Sequence, residues 1–357
     1  MANNLVRNTD TRRGGPGSAP VRAHRMSAPG DRACLPGYVS IVRQFSDHRA
    51  PRSDHRALRT ARAALRSVKP VTIAERVERA HALDPPVGTL SALVVRALPP
   101  GPRADALHGV PFGQPAHPAL ARLPLGCWTS AVLLDQFGGP GAGRASAALV
   151  AAGVAAAVPA AATGLADWSA LHRHQQRVGL VHAMSQAAAT ALFTGSLLAR
   201  VAGRHGRGRL LSAGGLLAAV AGGYLGGHLA LRLGAGVSHA EPIRHLTALG
   251  WQDLCPLAEL PAGQPVRRQL GDLSVLAVRD GAAVHVLTDR CAHLGGPLHQ
   301  GRLGSVAGAA CVTCAWHGST FRLSDGAVLH GPSTTRQPTF ETRVTDSGQI
   351  QVRPAKP

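Results

Sequence analysis

Four residues in the last third of this 357-residue chain have the types and spacing to hold a metal. Cys291 and His293 form C-x-H in "CAHLGGPLHQG", Cys314 and His317 form C-x-x-H in "CVTCAWHGS", and 20 residues lie between the two motifs. Two thiolates and two imidazoles suit a structural tetrahedral zinc ion. The same donors suit a two-iron cluster, with thiolates on one iron and neutral imidazoles on the other, which raises the potential above that of an all-cysteine cluster. A zinc finger usually draws both cysteines from one loop and both histidines from another, whereas here each loop supplies one of each. Of six cysteines, half fall between 291 and 314, a spacing of metal or redox chemistry rather than of a disulfide framework.

The region from about residue 250 to 353 closely resembles the Rieske [2Fe-2S] domain family, through "CAHLGGPL" and "CAWHGSTFRLSDGAVLHGPS". The resemblance implies a [2Fe-2S] cluster with Cys291 and Cys314 on one iron and His293 and His317 on the other. Cys311 is then the spare, where an inert buried thiol would serve. Departures from the family pattern bear on the potential. The segment through "GSVAGAA" is longer than usual and predicts a longer hairpin, and Ala315 stands where the family often has Pro. Gly296 occupies the place of a cysteine in the quinol-oxidising members, so their loop-locking disulfide is not expected. Two residues are expected to tune the cluster: Ser319 is kept to donate to a bridging sulfide, while Phe321 replaces a sulfur-bonding Tyr. Losing one donor implies the lower or middle part of a range of about −150 to +300 mV. "HGPS" at 330–333 resembles the loop that covers the cluster. His285 and His299 lack ligand spacing and are expected on a solvated strand or loop.

These motifs need a scaffold. Short alternating segments such as "LSVLAVRD", "AAVHVLT" and "TFETRV", separated by Gly, Pro and Asp, predict a small antiparallel β domain at 250–357. Upstream, apolar stretches fall at 120–134, 145–165, 178–199 and 210–233. A membrane span needs about 20 mostly apolar residues, which the last three supply and the first supplies only if extended to 118–137. The expected fold class is therefore multidomain: a four-span α-helical membrane bundle at 119–236, a linker at 237–249, and an all-β Rieske domain. Gly222, Gly223, Gly226 and Gly227 form small-xxx-small pairs that let helix backbones approach closely. Residues 71–118 predict a short amphipathic helix capped at Thr72, then a Pro-rich connector with turns at Pro85-Pro86 and Pro99-Pro100. Residues 1–70 are rich in Arg, Ser, Pro and Gly and are expected to be a disordered basic tail outside the native protein. Arg12-Arg13 is not read as an export signal, because Gly and Pro follow where an apolar stretch is needed.

Residues 71–239, through "LHGVPFGQPAHPAL", "AAATGLADW", "GLVHAMS" and "GGHL", resemble a bacterial four-helix membrane family of unknown function that occurs fused to Rieske domains. Alternating spans place His108, His117, His172, His174, His182, His228 and His239 on the face from which the β domain emerges, with His205 opposite. His182 and His228 are expected at similar depth on antiparallel helices. With His117 they form a candidate haem or quinone site. Interfacial histidines bonded to loop backbone are the plainer alternative.

The net charge of +19 divides as +10 over 1–70, 0 over 71–119, +7 over 120–236 and +2 over 237–357. It sits in a tail and between apolar segments, with no aromatic-interleaved basic module, so nucleic acid is not an expected partner. The expected function is a membrane-anchored carrier of single electrons, working with a redox partner protein or the quinone pool and holding no catalytic residue of its own. Two alternatives stand beside it: a quinone- or haem-linked membrane oxidoreductase with the Rieske domain as relay, and a membrane protein with a structural Cys2His2 zinc site. A ring-hydroxylating oxygenase subunit is not expected, since its catalytic iron domain would have to follow His317. The expected location is a bacterial inner membrane, multi-pass, with the cluster on the cytoplasmic face. Arginines flank the spans evenly and do not decide orientation.

Overall fold

The computed structural model describes residues 70–240 and 250–355, so the expected basic tail and most of the linker lie outside the described residues. The helical part begins with α1 (Pro70–Glu78), α2 (Asp84–Ala97) and α3 (Pro102–His108). Thr72 lies within the first turn of α1 rather than at its cap, because Pro70 already starts the helix. Pro85 and Pro86 likewise open α2 instead of making a turn, since the first helical positions need no N–H.

Four long helices follow: α4 (Ala116–Phe137), α5 (Ala142–Ser169), α6 (Arg173–Val201) and α7 (His205–Gly227), the last running into a π-helical turn at His228–Arg232. Short turns make them two hairpins. By length and composition, α5 and the stretch His205–Arg232 can cross a membrane. Four spans are expected; four long helices are present, and two of them meet that standard, while α4 carries Arg122 and Asp135 and α6 opens on "RHQQR". At the centre Trp128 stacks on Phe193, ring centroids 4.4 Å apart and planes 8° from parallel. One layer further, the Arg200 guanidinium pairs with Asp135, both almost wholly buried. Ser146 donates to Asp135 at 2.7 Å and Arg200 Nε donates to Ser196 at 3.1 Å, so neither charge is left uncompensated.

The β part has a six-stranded antiparallel sheet, order β1-β10-β9-β4-β3-β2, and a four-stranded one, order β5-β6-β7-β8. The first comprises β1 (Gln252–Pro256), β2 (Pro265–Leu270), β3 (Leu273–Asp280), β4 (Ala283–Thr288), β9 (Thr339–Val344) and β10 (Gln349–Pro354). The second comprises β5 (Arg302–Val306), β6 (Ala309–Thr313), β7 (Thr320–Arg322) and β8 (Val328–His330). The alternating segments read from the sequence are β3, β4 and β9. The inserted "GSVAGAA" is the tight β5–β6 hairpin, turning at Ala307 and Gly308 with positive φ at both. Val275, Leu276, Val286, Leu287, Phe321 and Ile350 close a continuous core between the sheets.

A Cβ at Gly215 of α7 would lie 2.8 Å from the Phe193 ring, so this glycine is what lets the second hairpin close. Gly215→Leu is expected to destabilise the helical part by about 1–3 kcal/mol through overpacking, read as a lower melting temperature of the detergent-solubilised protein; an unchanged melting temperature would contradict the packing described.

Candidate metal centre

Two β-loops meet at one end of the β part. The first runs from Asp289 to Gly296 after β4, and the second from Cys314 to Ser319 between β6 and β7. In the first, the Gly295 N–H donates to Cys291 O and the Cys291 N–H to Gly296 O, both at 2.8 Å, closing a tight turn on the C-x-H motif. In the second, the Gly318 N–H donates to Cys314 O at 3.1 Å and the Cys314 N–H to Ser319 O at 2.9 Å. A Cβ at Gly296 would lie 3.1 Å from Cys314 Sγ and 2.9 Å from Trp316, so no bulkier residue fits between the loops.

The loops pair the expected metal-site residues, Cys291 with Cys314 and His293 with His317. Cys291 and Cys314 are buried free thiols whose sulfurs meet in a hydrogen bond. That bond, with backbone N–H groups of Trp316 and His317 pointing at the sulfur, pulls the Cys314 thiol down to about 6. Its counterpart Cys291 is pushed well up by the same bond and by burial. The rings of His293 and His317 lie 5.1 Å apart, 82° from parallel. Burial holds His293 well below the ordinary imidazole value and His317 at about 4, so both rings are neutral at pH 7 with a lone pair to give. His293 Nδ1 is enclosed and has no hydrogen-bond partner, which fits a nitrogen meant for a metal. The donor set and this orphaned atom fit a [2Fe-2S] group.

Around the pairs, Ser319 is fully buried and accepts the Ser333 N–H at 3.0 Å, leaving its hydroxyl proton free to donate. Phe321 is fully buried in the core and offers no donor. Cys311 is buried in β6, its thiol pushed up by desolvation, as expected of a spare. His299 departs from the expectation of a solvated ring: Nδ1 donates to Asp289 at 2.7 Å, and that carboxylate also accepts the His299 N–H.

Residues that the motifs did not reveal hold the loops. The buried Gln337 amide accepts the Ala292 N–H at 2.9 Å and donates to Thr288 O at 2.9 Å, Thr288 Oγ1 at 2.6 Å and Arg290 O at 2.8 Å. No spacing rule marks a lone Gln, and only the fold reveals it. The helical part supplies others. His172, which precedes α6, packs its ring 5.2 Å from both His317 and Trp316. Asp105 of α3 accepts from His330 Nδ1 at 2.9 Å and from the Gly331 N–H at 2.8 Å, gripping the "HGPS" loop. His108 donates to Asp167 at 2.8 Å beside Gly331.

The candidate haem or quinone histidines are distributed differently from the expectation. His228 does not face His182; it lies two residues beyond Gly226, which packs on His182, and so points to another side of the helix, where its Nε2 donates to Glu78 of α1 at 2.6 Å. His182 instead faces His117, the ring centroids 6.4 Å apart.

Comparison with known proteins follows the same division. Residues 250–341 match the family model of the Rieske [2Fe-2S] domain, and residues 113–239 match that of a predicted membrane protein family (DUF2231). Among curated proteins, apoptosis-inducing factor 3 of Homo sapiens is 31% identical over 103 residues, 29% of this chain and 16% of that protein. A Rieske domain-containing protein of Homo sapiens is 31% identical over 64 residues, 18% of this chain and 41% of that protein. The chain thus spans well under two thirds of the curated relatives it matches. Among solved structures, the ferredoxin of carbazole 1,9a-dioxygenase from Nocardioides aromaticivorans is 24% identical, covering 29% of this chain and 98% of that one, with a TM-score of 0.27. A putative NADH-dependent nitrite reductase small subunit from Mycobacterium tuberculosis is 26% identical, covering 31% and 100%, with a TM-score of 0.28.

Replacing Gln337 by Leu strands one buried N–H and two buried carbonyls. Each such group costs about 1–3 kcal/mol, so Gln337→Leu is expected to lower the stability of the β part by at least about 2 kcal/mol, measured by denaturant unfolding. A loss under about 0.5 kcal/mol would contradict the role given to this amide.

Proposed function

We propose that this chain, which joins a Rieske [2Fe-2S] domain at residues 250–341 to a predicted membrane protein domain at residues 113–239, is a membrane-anchored carrier of single electrons. Cys291 and Cys314 would hold one iron and His293 and His317 the other. The observation that carries this is the arrangement of the donors as two pairs. The thiols of Cys291 and Cys314 meet each other, and the rings of His293 and His317 lie 5.1 Å apart, with one cysteine and one histidine from each loop. That arrangement supports a two-iron group over the tetrahedral zinc alternative.

A bound cluster supplies the chemistry of taking up and giving back one electron. The protein's part is to hold, shield and tune. Backbone N–H groups of His293 and Leu294 at Cys291, and of Trp316 and His317 at Cys314, stabilise negative charge on the sulfurs. Ser319 is placed to add one donor and Phe321 adds none, which supports a potential in the lower or middle part of the range of about −150 to +300 mV. His172 packs its ring on His317, so the imidazole pair lies against the helical part. The setting proposed is a bacterial inner membrane, with α5 and the stretch His205–Arg232 among the spans and the Rieske domain on the cytoplasmic side; a redox protein or the quinone pool would be the electron partner.

Metal and acid-labile sulfide analysis of the purified full chain tests the reading. Two irons and two sulfides per chain are expected, lost together in Cys291→Ser while the helical part still unfolds at its wild-type temperature. One zinc per chain without sulfide would overturn it.

A further inference from the structure

The four long helices are two copies of one hairpin. Each of His117, Pro124, Trp128, Ala131 and Asp135 on α4 has a counterpart 65 positions later on α6: His182, Ala189, Phe193, Ser196 and Arg200. On the second helices the offset is 62, relating Gly153 to Gly215, Ala160 to Gly222 and Gly164 to Gly226. The counterparts occupy the same places. Trp128 stacks on Phe193, Asp135 pairs with Arg200, and His117 faces His182, three layers of partners meeting across a local two-fold axis. Such parallel repeats about an axis along the membrane normal recur in membrane proteins, with sites at the repeat interface.

The histidine layer is built twice in the same way. His117 Nδ1 lies 2.9 Å from Ala160 O, and His182 Nδ1 lies 2.7 Å from Gly222 O. A carbonyl only accepts, so each Nδ1 carries the proton and each Nε2 keeps its lone pair. Four residues after each carbonyl stands a glycine against the ring: a Cβ at Gly164 would lie 2.8 Å from His117, and one at Gly226 would lie 3.1 Å from His182. Fixing the tautomer through Nδ1 while leaving Nε2 unprotonated is how proteins orient an imidazole toward a metal.

We propose that His117 and His182 are the two axial ligands of a haem-type iron tetrapyrrole held on the local two-fold axis of the four helices. The 6.4 Å between ring centroids accords with two imidazoles each about 2 Å from a shared metal through nitrogen. A bare divalent ion does not suit the site, because the nearby carboxylates are already engaged: Asp135 with Arg200, Asp167 with His108 and Glu78 of α1 with His228. An uncompensated charge among apolar helices is costly. A tetrapyrrole brings its own two negative charges, four further nitrogens and an apolar rim. An oxidised quinone does not suit it either, since its carbonyls need donors and both N–H groups are already bonded to backbone. The inference extends the electron-carrier reading with a second redox group, and stands on the helical residues alone.

The test titrates ferric haemin into the detergent-solubilised full chain and reads the Soret band, with acid-labile sulfide followed in the same samples. Saturation at one haemin per chain is expected, with a low-spin spectrum lost in His117→Ala and in His182→Ala and kept in His228→Ala. Free imidazole is expected to restore the spectrum to His182→Gly, which separates a ligand from a merely structural side chain. Absence of a saturable Soret shift in protein that keeps its sulfide would overturn the haem site and leave the cluster untouched. A band indifferent to both histidine replacements, or a bound metal without a Soret band, would also overturn it. Loss of sulfide alone would bear on the electron-carrier reading and not on this one.

Discussion

The amide of Gln337 is the constraint on which the metal centre depends. Two loops rich in glycine and polar backbone must be held at a fixed separation inside a core, where any unmet N–H or C=O costs free energy. Gln337 meets that demand for the first loop from a third segment, tying Ala292, Thr288 and Arg290 together through one side chain, while the Ser333 N–H on the same segment donates to Ser319 of the second loop. The Gln337 N–H donates to Gly326 O, which anchors the third segment to the β7–β8 turn. With the first loop held this way, the Gly296 position packs on Trp316 and the thiols of Cys291 and Cys314 come into contact across the gap.

The same end of the β part is where the helical part touches it. Asp105 grips His330 and Gly331, His172 packs on His317, and the His239 N–H donates to Ala292 O at 2.9 Å. The donor groups therefore lie between two structural layers. Burial from both sides keeps the imidazoles neutral, which protonated rings in open solvent at mildly acid pH would not be. The helical part thus acts on the site's electrostatics as well as anchoring it.

Much of this was legible in the sequence. The alternating strands and the four proposed ligands follow from period-2 patterning and from Cys-His spacing, which are local signals. The apolar runs coincide with the four long helices, two of which are apolar enough to cross a membrane. What stayed hidden depends on rotation and on distant partners. His228 lies near the depth expected for it, but the side of the helix it occupies and its partner Glu78 of α1 could not be read from spacing. Pro85 and Pro86 read as breakers, yet their fixed φ suits the first turn of a helix. The 65-residue repeat escaped because few positions keep the residue itself; it preserves size and burial, Trp against Phe and Asp against Arg, and only the structure lines these up. Gln337 and Asp105 carry no motif at all.

The central claim is that two cysteines and two histidines, one of each from each loop, hold a binuclear cluster. Pulsed electron paramagnetic resonance of the dithionite-reduced full chain tests it directly. The account predicts an unpaired electron coupled to two distinct imidazole nitrogens, with one coupling lost and the cluster disrupted in His317→Ala. A paramagnetic signal without nitrogen coupling, or no signal in protein carrying stoichiometric zinc, would contradict it.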